Sequence, residues 1–325
     1  MFSNKNYEFI DNFPSDFISI KNKVFNDWEI PPWKLEINVD KLLGEGEFGK
    51  VYMAKWNSTE VVAKVINHDI SDEKKSLFIK EINLHTILVH PNIVQFLGYV
   101  LDPLVIVMEY IPNGELLDYI NKSFGVSISK KIEICKNILK AIEYLHGRSP
   151  NAVLHRDLKP HNIMMTPSGF PKLSDFGISR IVEKLIKKES PRGSPQDTQI
   201  RKASFNEIDS IPLGNIVVSE GMDLTKFCGS KRYMSPEMYN SETYDFTTDI
   251  WSLGIIFSEL FENKRYNPNR DFIYKKTPKE IKNIIVDNML QKYPKNRLNA
   301  TEVIKLFNEV EEYRKKKYWI INSLY

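Results

Sequence analysis

The chain has few of the residues and patterns that mark secreted or membrane proteins. Its two cysteines, Cys135 and Cys228, are too few among 325 residues for the disulfide framework of a secreted domain. No apolar run approaches the ~18 residues that a membrane-spanning helix needs. The first residues also lack the basic and then apolar order of a secretory signal. These absences predict a cytoplasmic protein without a membrane span.

Excess charge of one sign is also lacking. Lys and Arg number 45 and Asp and Glu number 42, so the formal net charge of +3 requires no polyanionic partner. Of the basic residues 35 are lysines, whereas the readout of bases relies on arginine. A nucleic-acid-binding module would also need a basic face or stacking aromatics, which the sequence does not indicate. We therefore expect no nucleic-acid partner.

The pattern of apolar residues separates a strand-rich part of the chain from a longer helix-rich part. Residues 1–30 show no sustained period and are interpreted as an extension of unknown role. Between Leu35 and Val65 apolar residues alternate around a glycine cluster, which predicts strands, and residues 72–89 follow with helical spacing. Beyond Gly114 helical periods dominate. This order predicts an α+β chain in two lobes.

A glycine-rich run in the strand region is the first candidate for a nucleotide site. It reads Gly44-Glu45-Gly46-Glu47-Phe48-Gly49 and is followed by Lys50-Val51. Glycines allow a backbone to approach phosphate oxygens, to which its amide N–H groups can donate. The same string can open the helix of a dinucleotide-binding fold, but here residues 51–56 continue as a strand. A valine two residues after the last glycine is typical of the loop in protein kinases.

Three further motifs follow in order. They read His155-Arg156-Asp157-Leu158-Lys159-Pro160-His161-Asn162, then Asp175-Phe176-Gly177, then Ser235-Pro236-Glu237. Together with the glycine run, a strand lysine and a helix glutamate, they make the chain resemble the eukaryotic protein kinases over roughly residues 34–310. Lys159 is typical of the serine/threonine type. Trp33, Tyr144-Leu145-His146 and Tyr233-Met234 look most like the tyrosine-kinase-like branch.

The resemblance implies a two-lobed protein-kinase-like fold, with a small strand-rich lobe that carries one key helix and a larger helical lobe. We expect the kinase domain over about residues 31–313, with the N-lobe at about 31–108, the hinge at about 109–113 and the C-lobe at about 114–313. Residues 314–325 would form a C-terminal tail.

The resemblance also assigns the catalytic and metal-binding roles. Phosphoryl transfer needs charge to be neutralised and the reacting atoms to be held in line. Asp157 would orient the incoming hydroxyl and accept its proton, and Lys159 would lie near the γ-phosphate. Asn162 and Asp175 would hold Mg²⁺, or Mn²⁺ in its place, because hard cations prefer oxygen ligands.

The remaining site residues would bind ATP. Lys64 would pair with the α- and β-phosphates and Glu81 would hold its ammonium, although Glu73 begins the same helix and is the alternative. The other residues expected to contact ATP form the glycine-rich loop and the adenine pocket: Leu43, Gly44, Glu45, Gly46, Glu47, Phe48, Gly49, Val51, Val62, Met108, Glu109, Ile111 and Met164.

Two residues depart from the pattern of the family, and two are expected to support the fold. Val62 stands where the family usually has alanine, which predicts a tighter purine pocket. His85 stands where an apolar residue is usual, and we expect its ring to find a hydrogen-bond partner. Asp249 would anchor the backbone of the catalytic loop, and Arg297 would pair with Glu237.

The segment between Asp175-Phe176-Gly177 and Ser235-Pro236-Glu237 is unusually long. Asp175 and Glu237 lie 62 positions apart, more than a kinase activation segment needs. A Ser-rich insert at about residues 184–222 is interpreted as disordered. We expect phosphorylation within residues 184–230, by an upstream kinase or by the chain itself, with Thr225 as the candidate acceptor. Arg156 could pair with that phosphate.

The sequence therefore predicts an ATP-dependent protein kinase that phosphorylates serine or threonine hydroxyls on protein substrates. One alternative is a pseudokinase scaffold, which the presence of Lys64, Asp157, Asn162 and Asp175 disfavours. The other is a dual-specificity or tyrosine kinase, which Lys159 disfavours.

Overall fold

The computed structural model describes most of the chain in two compact units, Met1–Pro112 and Asn113–Tyr325. The described residues are 28–46, 49–66, 72–122, 125–149, 151–183, 185–188, 199–202, 216–217, 231–267 and 272–322. Strands dominate the first unit and helices the second, which confirms the α+β class.

A five-stranded antiparallel sheet forms the first unit, in the order β1-β2-β3-β5-β4. One helix, α1, lies between the third and fourth strands along the chain. The elements are β1 (Leu35–Gly46), β2 (Gly49–Trp56), β3 (Thr59–Ile66), α1 (Asp72–Ile87), β4 (Phe96–Val100) and β5 (Val105–Glu109).

Alternation along β3 determines which of its side chains enter the core. Val61 and Ala63 are fully buried, in a cluster that also contains Leu35 and Val107. Lys64 projects from the opposite face, because successive residues of a strand point to opposite sides. The strand thus places Lys64 on the face opposite the buried side chains of Val61 and Ala63.

Trp28–Ile30 extend the sheet beyond β4. The backbone of this segment runs parallel to β4, with Tyr99 N donating to Trp28 O at 2.9 Å and Ile30 N donating to Tyr99 O at 2.7 Å. Ile30 is buried. These three residues were expected to belong to the N-terminal extension, whereas the structure adds them to the sheet. Residues 1–27 lie outside the described part.

Helices form the core of the second unit. α3 begins at Ser127, whose side chain accepts a hydrogen bond from Lys130 N at 3.2 Å and so caps the helix. α5 is buried along nearly its whole length, including its charged residues Asp249, Glu259 and Glu262. The helices are α2 (Leu116–Lys122), α3 (Ile128–Gly147), α4 (Pro236–Tyr239), α5 (Thr247–Glu262), α6 (Lys279–Asn283), which continues as a π-helix over Ile284–Met289, and α7 (Ala300–Asn322).

Two small sheets frame the loop that carries the second motif. β6 (Asn151–Leu154) ends immediately before this loop and pairs with β9 (Arg180–Glu183). β7 (Ile163–Met165) begins immediately after it and pairs with β8 (Pro171–Leu173). The loop is therefore held at both ends by paired strands.

Part of the long insert is ordered as a third small sheet. β10 (Leu185–Lys188) pairs with β11 (Gln199–Lys202) and with β12 (Ile216–Val217). Disorder was predicted over the whole insert, whereas the structure describes these short strands, which contain β-branched residues that favour pairing. Apart from these strands the insert lies outside the described residues, and so does Thr225. Within the part of the chain that the structure describes, no helix is long and apolar enough to cross a membrane.

Candidate active site

A buried ion pair links β3 to α1 in the first unit. Lys64 Nζ lies 2.7 Å from Glu81 Oε1, and the two side chains are 12% and 5% exposed. Such a pair is costly to bury unless its geometry is good, and removal of either partner would leave an unpaired charge. The structure thus assigns the lysine its partner, Glu81, as predicted.

The glycine-rich loop is the hairpin between β1 and β2. Gly44 lies opposite Val51 and Gly46 opposite Gly49. A Cβ at position 49 would lie 2.0 Å from Val65 O, so that only glycine fits there without movement of the backbone. Glu47 and Phe48 lie outside the described residues.

The residues predicted to form the adenine pocket come from neighbouring strands. Val62 lies opposite Met108 across the β3–β5 ladder, and Val51 lies opposite Lys64 across the β2–β3 ladder. Glu109 is fixed to Gln95, because Glu109 N donates to Gln95 O at 3.0 Å and Gln95 N donates to Glu109 Oε1 at 2.7 Å.

The other residues predicted for the adenine pocket differ in exposure and in position. Ile111 and Met108 are buried, whereas Leu43 is 47% exposed on β1. Met164 belongs to the second unit, on β7, where it forms a bridge with Glu115. The first unit therefore supplies most of the residues expected to contact the base.

A compact polar cluster forms in the second unit around Asp157. Lys159 Nζ donates to Asp157 Oδ2 at 2.6 Å. Asn162 Nδ2 donates to Asp157 O at 2.8 Å and to Asp157 Oδ2 at 3.0 Å. These bonds fix the carboxylate, and they bring three of the predicted residues of the second motif together.

Asn162 and Asp175 lie at the same end of the β7–β8 hairpin. Ser174 N donates to Asn162 O at 2.8 Å, and Asp175 follows directly in the left-handed region with φ of 60°. Asparagine and aspartate tolerate this region better than other side chains do. The hairpin thus holds the two predicted metal ligands in neighbouring positions.

The donor set of these two residues fits a hard cation. Asn162 uses its amide nitrogen for Asp157, so the amide oxygen is the atom that can face a metal. Among the described residues there is no group of three or more His, Cys, Asp or Glu side chains that could hold a metal. One carboxylate and one amide oxygen suit Mg²⁺, which usually takes its other ligands from water and substrate phosphates.

Asp249 anchors the backbone of the catalytic loop, residues 155–162 between β6 and β7, as predicted. Its carboxylate is 1% exposed and accepts from His155 N at 3.0 Å and from Arg156 N at 2.9 Å. His146 Nε2 lies 2.8 Å from Asp249 Oδ2. Burial alone would raise the pKa of Asp249, but hydrogen bonds and positive charge from His146 and His155 outweigh that effect and lower it.

Arg156 is held in a strained conformation beside Asp157, the residue expected to accept the proton. Its φ of 66° lies in the left-handed region, which is unfavourable for a side chain of this type. Its guanidinium donates to Ile178 O through Nε, at 2.7 Å, and through Nη2, and to the Tyr244 hydroxyl at 3.0 Å. The guanidinium therefore links Ile178, which directly follows Asp175-Phe176-Gly177, to Tyr244 in the loop before α5.

A comparison with family models identifies the domain that these residues build. The model described as protein kinase domain matches residues 37–196 and 213–317. The chain belongs to the protein kinase family. The motifs that carried the resemblance lie within the matched residues, and the serine/threonine type is confirmed by the names of the relatives.

The kinase domain is similar to curated serine/threonine kinases. It is 32% identical to "Serine/threonine-protein kinase VIK" of Arabidopsis thaliana, over 73% of this chain and 48% of that protein. It is 32% identical to "Integrin-linked protein kinase 1" of the same plant, over 74% of this chain and 45% of that protein. It is 26% identical to "Mitogen-activated protein kinase kinase kinase 7" of Mus musculus, over 92% of this chain and 48% of that protein. These relatives fit the predicted tyrosine-kinase-like branch, and the chain spans about half of their length.

A second buried ion pair stabilises the C-terminal unit of the kinase domain. Arg297 donates to Glu237 through two nitrogens, at 2.6 Å and 2.8 Å, and the side chains are 0% and 3% exposed. Burial alone would raise the pKa of Glu237, but the hydrogen bonds from Arg297 lower it. The bidentate geometry gives the pair both strength and a fixed orientation.

Sequence reasoning missed two partners in this site. His146 was used only as a mark of the branch, although its contact with Asp249 supports the catalytic loop. Tyr244 was not singled out, and no local motif indicates that it would contact Arg156, 88 positions away.

Proposed function

We propose that this kinase domain transfers the γ-phosphoryl group of ATP to serine or threonine hydroxyls of protein substrates. The observation that carries the proposal is the cluster in which Lys159 and Asn162 hold the carboxylate of Asp157. A carboxylate held in a fixed position can accept a proton from a hydroxyl group beside it. The ammonium group of Lys159 supplies positive charge next to it.

In the proposed step the substrate oxygen attacks the γ-phosphorus. The bond from the γ-phosphorus to the bridging oxygen of the β-phosphate breaks, and ADP leaves with the electron pair. Asp157 orients the hydroxyl and receives its proton, while Lys159 stabilises charge on the transferred group. Lys64, held by Glu81, would bind the α- and β-phosphates. Mg²⁺ bound by Asn162 and Asp175 would neutralise phosphate charge.

The serine/threonine preference rests on the relatives and on Lys159. The printed names of several relatives include serine/threonine kinase, and Lys159 lies in contact with the proposed proton acceptor. A pseudokinase is disfavoured because the Lys64–Glu81 pair and the Asp157 cluster are both formed. The cytoplasmic location remains a prediction from the sequence.

Incorporation of radiolabelled phosphate from ATP into a mixed protein substrate tests the proposal. The variant Asp157→Asn keeps the shape of the side chain but removes the base, so we expect the rate to fall by about 10²–10⁴-fold. Asp287→Asn, which changes an exposed aspartate of the same unit, is the matched control and should keep its activity. Equal rates in the two variants would refute the role of Asp157.

Phosphoamino-acid analysis of the labelled product tests the acceptor. We expect phosphoserine and phosphothreonine, and a product with phosphotyrosine alone would support the tyrosine alternative. Omission of Mg²⁺, with Mn²⁺ as the replacement, tests the metal requirement.

We also propose phosphorylation within residues 184–230, by an upstream kinase or by the domain itself. The length of the segment and the position of Arg156 at its base support this proposal. Mass spectrometry of an active preparation tests it, and an unmodified segment in that preparation would contradict it.

A further inference from the structure

Two arginines of the second unit are held in place by one buried carboxylate. Glu259, on α5, is 0% exposed and accepts from the Tyr233 hydroxyl at 3.0 Å and from Tyr266 N at 2.7 Å. Arg232 directly precedes Tyr233, and Arg265 directly precedes Tyr266. Arg265 Nη2 also donates to the Tyr233 hydroxyl at 3.3 Å. The two segments that carry the guanidinium groups are therefore both tied to α5.

The same two arginines lie beside the catalytic loop. His161 belongs to this loop, as Asp157 does, and it is half-buried. Burial lowers the pKa of His161, and positive charge from Arg265 and Arg232 lowers it further. Lys159 acts in the same direction, whereas Asp157 opposes them. Because neighbouring charges shift a pKa in this way only at short range, the two guanidinium groups lie near the loop that holds the proposed proton acceptor.

The charge of this cluster is positive and accessible. Arg265 is exposed and Arg232 is half-buried. Within the described part of the chain, neither arginine forms an ion pair with a carboxylate, whereas Lys159 and Asp157 pair with each other at 2.6 Å. Glu259 offsets part of the charge, but it is fully buried and cannot contact a substrate. The described surface beside the catalytic loop therefore presents positive charge.

We propose that Arg232 and Arg265 select protein substrates that carry a negative charge close to the acceptor serine or threonine. A guanidinium group binds a carboxylate or a phosphate through two parallel hydrogen bonds, so the same chemistry recognises an acidic side chain and a previously phosphorylated residue. A lysine at that place in the substrate meets charge of its own sign and is disfavoured. The inference rests on the proposed function, whose substrate class it narrows.

A positional peptide array tests this selection. Each peptide has one serine in a neutral sequence and carries glutamate, phosphoserine, alanine or lysine at one neighbouring position. At the position that contacts the arginines, we expect kcat/KM with glutamate or phosphoserine to exceed that with lysine by about five- to twentyfold. This factor lies between the effects of an exposed ion pair and of a hydrogen bond to a charged group. Equal kcat/KM for glutamate, phosphoserine and lysine at every position would overturn the proposal.

The array also distinguishes the two sources of negative charge. A higher kcat/KM with phosphoserine than with glutamate would identify a previously phosphorylated substrate, and the reverse order would identify an acidic side chain. In either case the preference should weaken as the salt concentration rises, because the arginines are at least partly exposed to solvent.

Arg232→Gln and Arg265→Gln test whether these two residues cause the preference. Each should reduce the ratio of kcat/KM for glutamate to that for lysine, and the double variant Arg232→Glu/Arg265→Glu should prefer lysine. A reversal cannot come from a loss of folding, because an unfolded protein is inactive on both peptides. If the double variant does not fold, the two glutamine variants decide. Arg314→Gln, which removes the same charge from α7, is the matched control and should keep the ratio. A ratio that falls equally in Arg314→Gln, or that is unchanged in both other glutamine variants, would contradict the assignment.

A binding measurement separates this inference from the proposed function. Fluorescence anisotropy gives the Kd of labelled peptides in which alanine replaces the acceptor serine, so that no phosphoryl transfer is involved. We expect the glutamate peptide to bind more tightly than the lysine peptide, and the variant with both Arg232→Gln and Arg265→Gln to lose this difference. Charge-dependent binding without transfer to any serine peptide would refute the proposed function alone. Transfer and binding that are both independent of peptide charge would refute the inference alone.

Discussion

Asp249→Asn is the substitution for which the structure gives the clearest expectation. The carboxylate uses Oδ1 for Arg156 N and Oδ2 for His155 N, and both bonds are buried or half-buried. An asparagine has one acceptor oxygen and one NH₂ group. In either orientation its NH₂ group faces a backbone N–H, so one donor of the catalytic loop loses its acceptor.

The cost follows from these contacts. A hydrogen bond to a charged group contributes about 1.5–3 kcal/mol, and an unsatisfied buried donor costs about 1–3 kcal/mol. We therefore expect the free energy of unfolding to fall by about 3–5 kcal/mol, in the range found for disrupted buried polar networks. Arg156, with φ of 66°, would then be free to leave the left-handed region. Asp157 follows Arg156 directly, so a shift of about 1 Å there would lower kcat by about 10²-fold.

Urea unfolding and steady-state phosphoryl transfer measure the two effects in the same preparations. Asp287→Asn, at an exposed position of the same unit, controls for the change of charge. The prediction also has a pH signature. Because the pKa of Asp249 is lowered in the folded protein, its stabilisation is present at neutral pH and is lost as the pH falls below about 4. An Asp249→Asn protein as stable and as active as Asp287→Asn would refute the assigned role of the carboxylate.

Three further predictions concern other parts of the domain. Arg297→Met should lower the free energy of unfolding, measured in urea, by about 3–5 kcal/mol, because it leaves Glu237 buried without its partner. Adding Glu237→Leu should recover part of this loss. An Arg297→Met protein of unchanged stability would contradict the prediction. Gly49→Ala should raise the KM for ATP, since its Cβ would lie 2.0 Å from Val65 O and the loop must move; an unchanged KM would show that the loop geometry is not needed. Val62→Ala should lower the KM for ATP by less than about tenfold, because it removes only one or two methyl groups from the pocket. Unchanged nucleotide affinity in this variant would refute the prediction that Val62 tightens the purine pocket.

The contacts among most of the proposed catalytic residues could be predicted because they depend on short stretches of chain. Asp157, Lys159 and Asn162 lie within six residues, and the bonds among them form inside one loop. Lys64 follows from the alternation of β3, which sends it to the face opposite Val61 and Ala63. Its partner was less certain, because helical periodicity does not decide between Glu73 and Glu81.

Other features could not be predicted because they depend on which surfaces pack together. The insert was expected to be disordered, yet β10, β11 and β12 pair within it, because strand pairing depends on partners distant in sequence. Residues 1–30 showed no period, since the segment Trp28–Ile30 is too short to display one. Its place on the sheet is determined by Tyr99 and Gly98, which lie about 70 residues further along the chain.

The sequence by itself determined the family, the order of the motifs and the side chains that can bind phosphate, hold a metal or accept a proton. These depend on residue type and on spacing within a few residues, which local backbone preferences turn into a loop or a strand. Only the tertiary structure decided that His146 supports Asp249, that Tyr244 contacts Arg156 and that Trp28–Ile30 lie along β4. Such contacts join residues far apart in the chain, and their free energy depends on close packing and burial that exist only in the folded protein.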